Sequence, residues 1–236
     1  MKIINQYQYL NYNIIKYDVL DSTMSLARHS QPNTIIVADM QTNGKGKMGR
    51  VWKSEKGNLY FSINIQANDK NVDYSQFTFI TSIAVRYAIS NIDNNNCNIV
   101  SKWPNDVLIN NKKVCGILLE FDFLEEQLII GCGINISSYP VDTIFPATSL
   151  NHENIYVDKD ILLKKVLDNF NLLMEEWKYN NFSVIRKKWL DNCYKLKEEI
   201  KVDDEYGIFE DIDENAYLIL KQKNNQVKII KTGDVF

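Results

Sequence analysis

The chain has few cysteines, no long apolar run and no surplus of positive charge, and each shortage excludes something. Its 236 residues include only Cys97, Cys115, Cys132 and Cys193, far apart and without a C-x-x-C pair. Neither a disulfide framework nor a zinc site is suggested. Two of the four lie inside strongly apolar segments, as small buried thiols of a reducing compartment do. No stretch approaches the roughly 20 apolar residues of a membrane span. The N-terminal Met1-Lys2-Ile3-Ile4-Asn5-Gln6 soon gives way to tyrosines and asparagines, without the apolar core of a signal peptide. The expected location is the cytoplasm, with no membrane partner. Twenty-seven basic and thirty acidic side chains leave a formal net charge of -3, so no bulk field draws in nucleic acid. Only about twenty residues precede Ser22-Thr23, too few for a helix-turn-helix domain, and no DNA partner is expected. Any anion site must come from a local cluster. His29 and His152 have no second ligand or nucleophile paired with them and are expected to be bystanders.

What is present reads as a folded protein. Hydrophobic residues make up 45% and charged residues 24%, and a chain of this length can bury a sizeable core without disulfides or metals. Asn13 to Leu20 is strand-like, and Asp21-Ser22-Thr23 can cap a short helix running to Arg28. Thr34 to Gln41 is β-branched and apolar, the pattern of a buried strand. Thr42 to Gly57 breaks every period and must be a loop, after which Asn58 to Gln66 alternates as a strand. Phe79, Ile80, Ile83, Ala84 and Tyr87 lie at helical spacing within Ser75 to Ile92. Three strands are expected at Ile99 to Trp103, Val114 to Phe121 and Gln127 to Ile136, the first two joined by a turn at Asn110-Asn111. Leu162, Val166, Phe170, Leu173 and Trp177 form one stripe of a long helix from Asp158, and a second helix covers Phe182 to Asn192. From Lys197 short strands are punctuated by Gly207, Asn215, Asn224-Asn225 and Gly233, as in a small all-β module. The architecture is thus a main α+β domain with a β appendage.

Two segments carry chemistry. In Gln41-Thr42-Asn43-Gly44-Lys45-Gly46-Lys47-Met48-Gly49-Arg50-Val51-Trp52, glycines at alternate positions let the backbone approach a ligand and expose N–H groups to it. Lys45, Lys47 and Arg50 add positive charge, a combination suited to a phosphate or a carboxylate. The spacing is neither that of a Walker A loop nor that of a dinucleotide fingerprint. In Ser101-Lys102-Trp103-Pro104-Asn105-Asp106, Pro104 ends a strand and forces a turn that can aim Asn105 and Asp106 into a site. Lys113 stands where the next strand begins, and Gly116 leaves room beside that strand.

With these two segments, Ser22-Thr23 and Gly131-Cys132-Gly133-Ile134-Asn135, the chain resembles the biotin–protein ligase family over roughly Ser22 to Leu150, in the family's order and spacing. A weaker likeness continues at Thr232-Gly233-Asp234. The resemblance implies a mixed sheet with helices on one face, related to class II aminoacyl-tRNA synthetases, over residues 1–194, and an SH3-like β-barrel over 195–236. It implies that biotin and MgATP give biotinyl-5′-adenylate, from which biotin passes to a lysine of a biotin carboxyl carrier domain of a carboxylase. Lys113, Lys47 and Asp106 would be the catalytic residues, with Lys113 first among them. Ser22, Thr23 and Gln41 would bind the ureido head, Trp52 and Leu118 would wall the pocket, and Met24, Lys45, Gly46, Lys47, Lys113 and Gly116 would complete the biotin site. Lys45, Lys47, Arg50, Trp52, Asn105, Lys113, Gly131, Gly133 and Asn135 would hold the nucleotide, and Ser137 to Ser149 would form a loop over the adenosine. Mg²⁺ would bridge the phosphates, and Asp106 would orient either the lysine nucleophile or a metal, with no metal-ligand residues assigned. A monomer and a homodimer are both compatible with the sequence. Met24 stands where the family usually has Asn. Lys45 and Lys47 replace arginines, which keeps the charge but loses the bidentate guanidinium fork. The alternatives are a lipoate–protein ligase, which would carry an R-R-x-S-G-G-G-like loop, and a catalytically silent biotin-binding protein.

Overall fold

The computed structural model describes residues 1–67, 69 and 72–236. Its main element is a sheet made of β1 (Ile3–Tyr9), β2 (Tyr12–Leu20), β3 (Thr34–Gln41), β4 (Leu59–Gln66), β5 (Ile99–Lys102), β6 (Asp106–Ile109), β7 (Lys112–Asp122) and β8 (Gln127–Ile134). The spatial order is β1-β2-β3-β4-β8-β7-β6-β5. The β2–β3 pair is parallel and the other neighbours are antiparallel, so the sheet is mixed. Side chains alternate between its faces. In β3, Ile35 and Val37 enter one core, while Ile36 and Ala38 enter another on the opposite face.

Two long helices, α2 (Gln76–Ser90) and α3 (Lys159–Leu190), cover the first face. Phe79, Ile83, Phe170 and Trp189 fill the layer between them and the sheet, and all four are buried. Asp158 caps α3 by accepting hydrogen bonds from the amides of Asp160 and Ile161. At Asn181 φ is +58°, which breaks α3 into two helical runs at the division the sequence suggests. The short helix α1 (Thr23–Arg28) lies on the other face, against Ile36, Ala38 and Ile129. Ser22 occupies its N-cap position, but its side chain makes no capping bond, so the expected cap does not form.

Two strands escape the sequence pattern. Strand β1 is an edge strand with most residues exposed, so neither face shows an apolar period. Strand β6 has four residues and is buried on both faces. The turn at Asn110-Asn111, where φ is +49° and +63°, therefore joins β6 to β7 rather than β5 to β7. Asparagine tolerates that left-handed backbone better than most residues.

The C-terminal strands β9 (Glu199–Val202), β10 (Glu205–Ile212), β11 (Leu218–Lys221) and β12 (Val227–Ile230) form an antiparallel sheet in the order β12-β11-β10-β9. Gly207 lies within β10, not at a turn. A Cβ there would meet the Lys221 carbonyl oxygen at 2.6 Å, so close approach by β11 requires glycine. Ile200, Phe209 and Leu218 join the same apolar cluster as α2 and α3. Trp103 donates its indole N–H to the Ala216 carbonyl at 3.2 Å, tying the two sheets together. Among the described residues no helix is long and apolar enough to cross a membrane.

Candidate functional site

The strand register creates the site. Lys102 pairs with Asp106, Asp106 with Gly116, Gly116 with Gly133, and Gly133 with Tyr60. Directly opposed residues share a face, so this row runs across the sheet on the side away from α2 and α3. Its two glycines leave a hollow that Trp52 fills. A Cβ at Gly133 would meet the Trp52 indole nitrogen at 2.5 Å, and one at Gly116 would meet its ring at 2.6 Å. One register step along, Leu118 opposes Gly131, and Met24 packs its sulfur over that glycine. The room that the sequence offers at Gly116, Gly131 and Gly133 is thus taken by side chains of this chain.

Above this floor is a cavity of about 410 Å³ lined by every residue singled out as biotin- or nucleotide-binding. Its floor and one end are apolar, from Met24, Trp52 and Leu118. Near them, Thr23 donates its backbone N–H (2.8 Å) and hydroxyl (3.1 Å) to the Gln41 side-chain oxygen. Ser62 donates to the Thr23 hydroxyl at 2.8 Å, and Gln41 donates to Ser54 Oγ at 2.8 Å. The Ser22 hydroxyl and the Trp52 indole N–H are buried without a hydrogen-bond partner among the described residues. Buried polar atoms are nearly always satisfied, so these two stand out beside the cavity.

The other end is cationic. Of the charged side chains lining the cavity, six are basic (Lys45, Lys47, Arg50, Lys53, Lys102, Lys113) and three acidic (Asp106, Asp142, Asp234). Lys113 sits 2.7 Å from Asp106 Oδ1, with its ammonium 5.2 Å from the centre of the Trp52 ring. Lys102, only 3% exposed, lies 3.9 Å from the other Asp106 oxygen. Burial pushes the Lys102 ammonium below the usual lysine range, partly countered by Asp106. Lys47 donates to the Gly233 carbonyl at 2.7 Å, and Arg50 pairs with Asp234 at 2.9 Å. Burial also lowers the Lys47 pKa, against the pull of Asp234. Burial raises the Asp234 carboxyl, but the Arg50 hydrogen bond and the charges of Arg50, Lys47 and Lys102 outweigh it and hold it below the carboxylate range. Lys45 turns away to Glu120, at 3.4 Å.

Asn105 and Asn135 line the cavity but spend their side-chain N–H groups on backbone. Asn105 donates to the Ile117 carbonyl at 2.6 Å, and Asn135 donates to the Thr148 carbonyl at 3.0 Å. They brace β7 and the loop before α3. That loop is also pinned by the bridge between Lys113 and Ala147 and by Asn58, whose side-chain oxygen accepts from the amides of Ile136, Ser137 and Ser138. His29 and His152 are exposed, and neither lines the cavity. Among the described residues no group of three or more potential ligands could hold a metal ion.

Sequence reasoning assigned no role to Lys102, Asp234 or Phe236, and named Phe145 only as part of the Ser137 to Ser149 loop. Lys102 was visible within K-W-P-N-D and Asp234 within T-G-D, but their meeting depends on how the small sheet docks.

A cavity that joins a hydrogen-bonding apolar end to a cationic end suits a ligand with an uncharged head and an anionic tail, on a fold that couples the two. The chain belongs to the biotin/lipoate A/B protein ligase family, whose model matches residues 17–135. It is 39% identical over 154 residues to the bifunctional ligase/repressor BirA of Bacillus subtilis, a match covering 59% of this chain and 46% of that relative. It is 24% identical over 215 residues to the biotin–[acetyl-CoA-carboxylase] ligase of Mycobacterium tuberculosis, covering 85% of this chain and 77% of that one. The biotin protein ligase of Aquifex aeolicus, solved in complex with biotin and ATP, superposes with a TM-score of 0.83 at 29% identity, covering 94% of this chain and 97% of that one. The chain spans about half the length of the Bacillus relative.

Proposed function

We propose that this chain is a biotin–protein ligase that activates biotin with MgATP and transfers it to a lysine of a biotin carboxyl carrier domain. The observation that carries the reading is the pairing, within one cavity, of the unpartnered Ser22 hydroxyl and the Thr23–Gln41 network with an excess of cations around Lys113. Biotin is an apolar bicycle with a ureido group and a carboxylate tail, and it matches that polarity end to end. Ser22, Thr23 and Gln41 bind the ureido head, Met24, Trp52 and Leu118 enclose the rings, and the tail reaches Lys113.

In the first step a carboxylate oxygen attacks the α-phosphorus of ATP, the bond to the β-phosphate oxygen breaks, and pyrophosphate leaves. Negative charge gathers on phosphoryl oxygens, and fixed cations in a water-poor site stabilise it. Lys113, Lys47 and Arg50 supply those cations, while Asn105 and Asn135 brace the wall beside the nucleotide, and Gly131 and Gly133 instead seat Met24 and Trp52. In the second step the carrier lysine attacks the acyl carbon of the mixed anhydride, its bond to AMP breaks and the amide forms. Asp106, held beside Lys113, orients that incoming amine. Residues 195–236 act as a separate small domain that covers the cationic end.

The test is exchange of labelled pyrophosphate into ATP without an acceptor protein. Biotin should support exchange and lipoate should not. Exchange with lipoate alone would assign the lipoate branch of the family, and biotin binding without exchange would mark a silent binding protein.

A further inference from the structure

Strand β4 turns polar side chains towards α1. Ser62 and Asn64 are fully buried and, two apart in a strand, share a face. Ser62 donates to the hydroxyl of Thr23, the first residue of the helix, at 2.8 Å. Asn64 donates to the carbonyls of Ala27, within the helix, and Ser30, just past its end, at 3.0 and 2.8 Å. A helix of six residues is not stable alone, and Ser22 gives it no side-chain cap. Its placement therefore depends on these bonds and on its packing against Ile36, Ala38 and Ile129.

Ser62 also stands at the head of a directed chain of hydrogen bonds. The Thr23 amide can only donate, so the Gln41 atom that faces it at 2.8 Å is the oxygen, and the Gln41 nitrogen turns to Ser54. The Thr23 hydroxyl spends its own hydrogen on that same oxygen at 3.1 Å, and it accepts the Ser62 hydrogen in return. Among the described residues this leaves one Gln41 amide hydrogen and one Thr23 lone pair uncommitted. Thr23 and Gln41 line the cavity, and Ser62 does not. A cyclic urea carries one carbonyl acceptor between two N–H donors, so it needs both a donor and an acceptor from the pocket. Without the Ser62 hydrogen the Thr23 hydroxyl rotates freely and the fixed acceptor is lost.

We infer that Ser62 is a positioning residue for the uncharged end of the ligand. Acting through the Thr23 hydroxyl, it fixes the donor and acceptor pattern offered to a ureido head. The inference rests on the biotin reading of this site and deepens it by naming a residue that touches no ligand.

The experiment measures biotin affinity by calorimetry, and the KM values for biotin and for ATP in pyrophosphate exchange. The proteins are wild type, Ser62→Ala, Ser62→Cys, Thr23→Val and the double variant Ser62→Ala/Thr23→Val. One neutral hydrogen bond is worth up to about tenfold, so Ser62→Ala should weaken biotin binding about 3- to 10-fold and raise the biotin KM to match. The KM for ATP should stay within about twofold, because the cationic end is untouched. Ser62→Cys, a weaker donor on a similar frame, should fall between wild type and Ser62→Ala. In the Thr23→Val background Ser62→Ala should cost less than about twofold more, since the link it acts through is already gone. The same penalty in both backgrounds would overturn the inference, and so would a parallel rise of both KM values in a folded variant, the mark of a merely structural residue. Should Ser62→Ala not fold, Ser62→Cys decides by the same comparison. Equal biotin affinity in wild type and Ser62→Ala would overturn the role of Ser62 and leave the biotin reading standing. Failure of wild type to bind biotin would overturn both.

Discussion

A lysine at the start of a strand contributes little packing, yet Lys113 has a second task. It neutralises Asp106, which is 7% exposed, across 2.7 Å. On the proposed mechanism, Lys113→Ala should slow adenylate formation by about 10²–10³, the cost of deleting one donor aimed at developing charge. It should also destabilise the fold by roughly 1–3 kcal/mol, since a buried carboxylate loses its closest partner. Adding Asp106→Asn should restore most of the stability and none of the activity. Urea unfolding alongside the exchange assay separates the two effects, and activity recovering together with stability would remove Lys113 from the chemistry. Lys47 carries a similar double load. Because it donates to the Gly233 carbonyl at 2.7 Å, it also ties the loop to the C-terminal segment.

The glycine-lysine loop between β3 and β4 has few apolar side chains to hold it, so its order depends on tethers at both ends. At one end the Trp52 amide donates to the Gly44 carbonyl at 2.9 Å, with the ring seated over Gly133. At the other, Lys47 and Arg50 reach the segment after β12. Asp234→Asn removes the Arg50 ion pair. Arg50 is half exposed, so the change in global stability should be only about 0–1 kcal/mol. Trypsin cleavage after Lys45, Lys47 and Arg50 should nevertheless accelerate several-fold, since local opening needs little free energy. Unchanged cleavage would show that the Trp52 seat and the Lys47 bond to Gly233 order the loop without the Arg50 ion pair. Asp234 has its pKa held below the carboxylate range, so the tether stabilises above the unfolded value of about 3.9 and is lost as pH falls through the lower folded value. Loop amides, corrected for intrinsic exchange, should therefore lose protection only in acid.

Across the whole molecule the two sheets share one apolar cluster, and the phenols buried in the main sheet set its alkaline limit. Burial pushes Tyr12 and Tyr60 up to about 12. Unfolded phenols ionise near pH 10, so between those values the folded state binds more protons and stability falls as pH rises. Each pH unit of difference is worth about 1.4 kcal/mol, which makes the combined loss several kcal/mol at most by pH 12. Tyr60→Phe also removes a 2.8 Å hydrogen bond to the Glu55 carbonyl, so it should be less stable at neutral pH yet lose less on going to pH 11. Parallel urea midpoints against pH for wild type and Tyr60→Phe would show instead that Tyr60 ionises freely in the folded state.

By itself the sequence determined the long buried strands, the two long helices and the residue types that gather at the cavity. Those features are local: β3 and β8 are buried over most of their length and read as apolar runs, β4 alternates, and helix α2 repeats its apolar positions at helical spacing. The glycine-lysine loop and the K-W-P-N-D turn were legible for the same reason, since glycine, proline and charge act on the backbone where they stand. Tertiary structure alone decided which strands become neighbours. Period two tells which residues of one strand share a face, but not that Gly116 opposes Gly133 and thereby makes the hollow that seats Trp52. Strands β1 and β6 were hidden because an exposed edge has no apolar period and a four-residue strand is too short to show one. The corner where Lys47, Arg50 and Lys102 meet Asp234 was hidden too, because the free energy that brings residues so distant in the chain together comes from apolar burial elsewhere, around Trp103, Phe209 and Leu218.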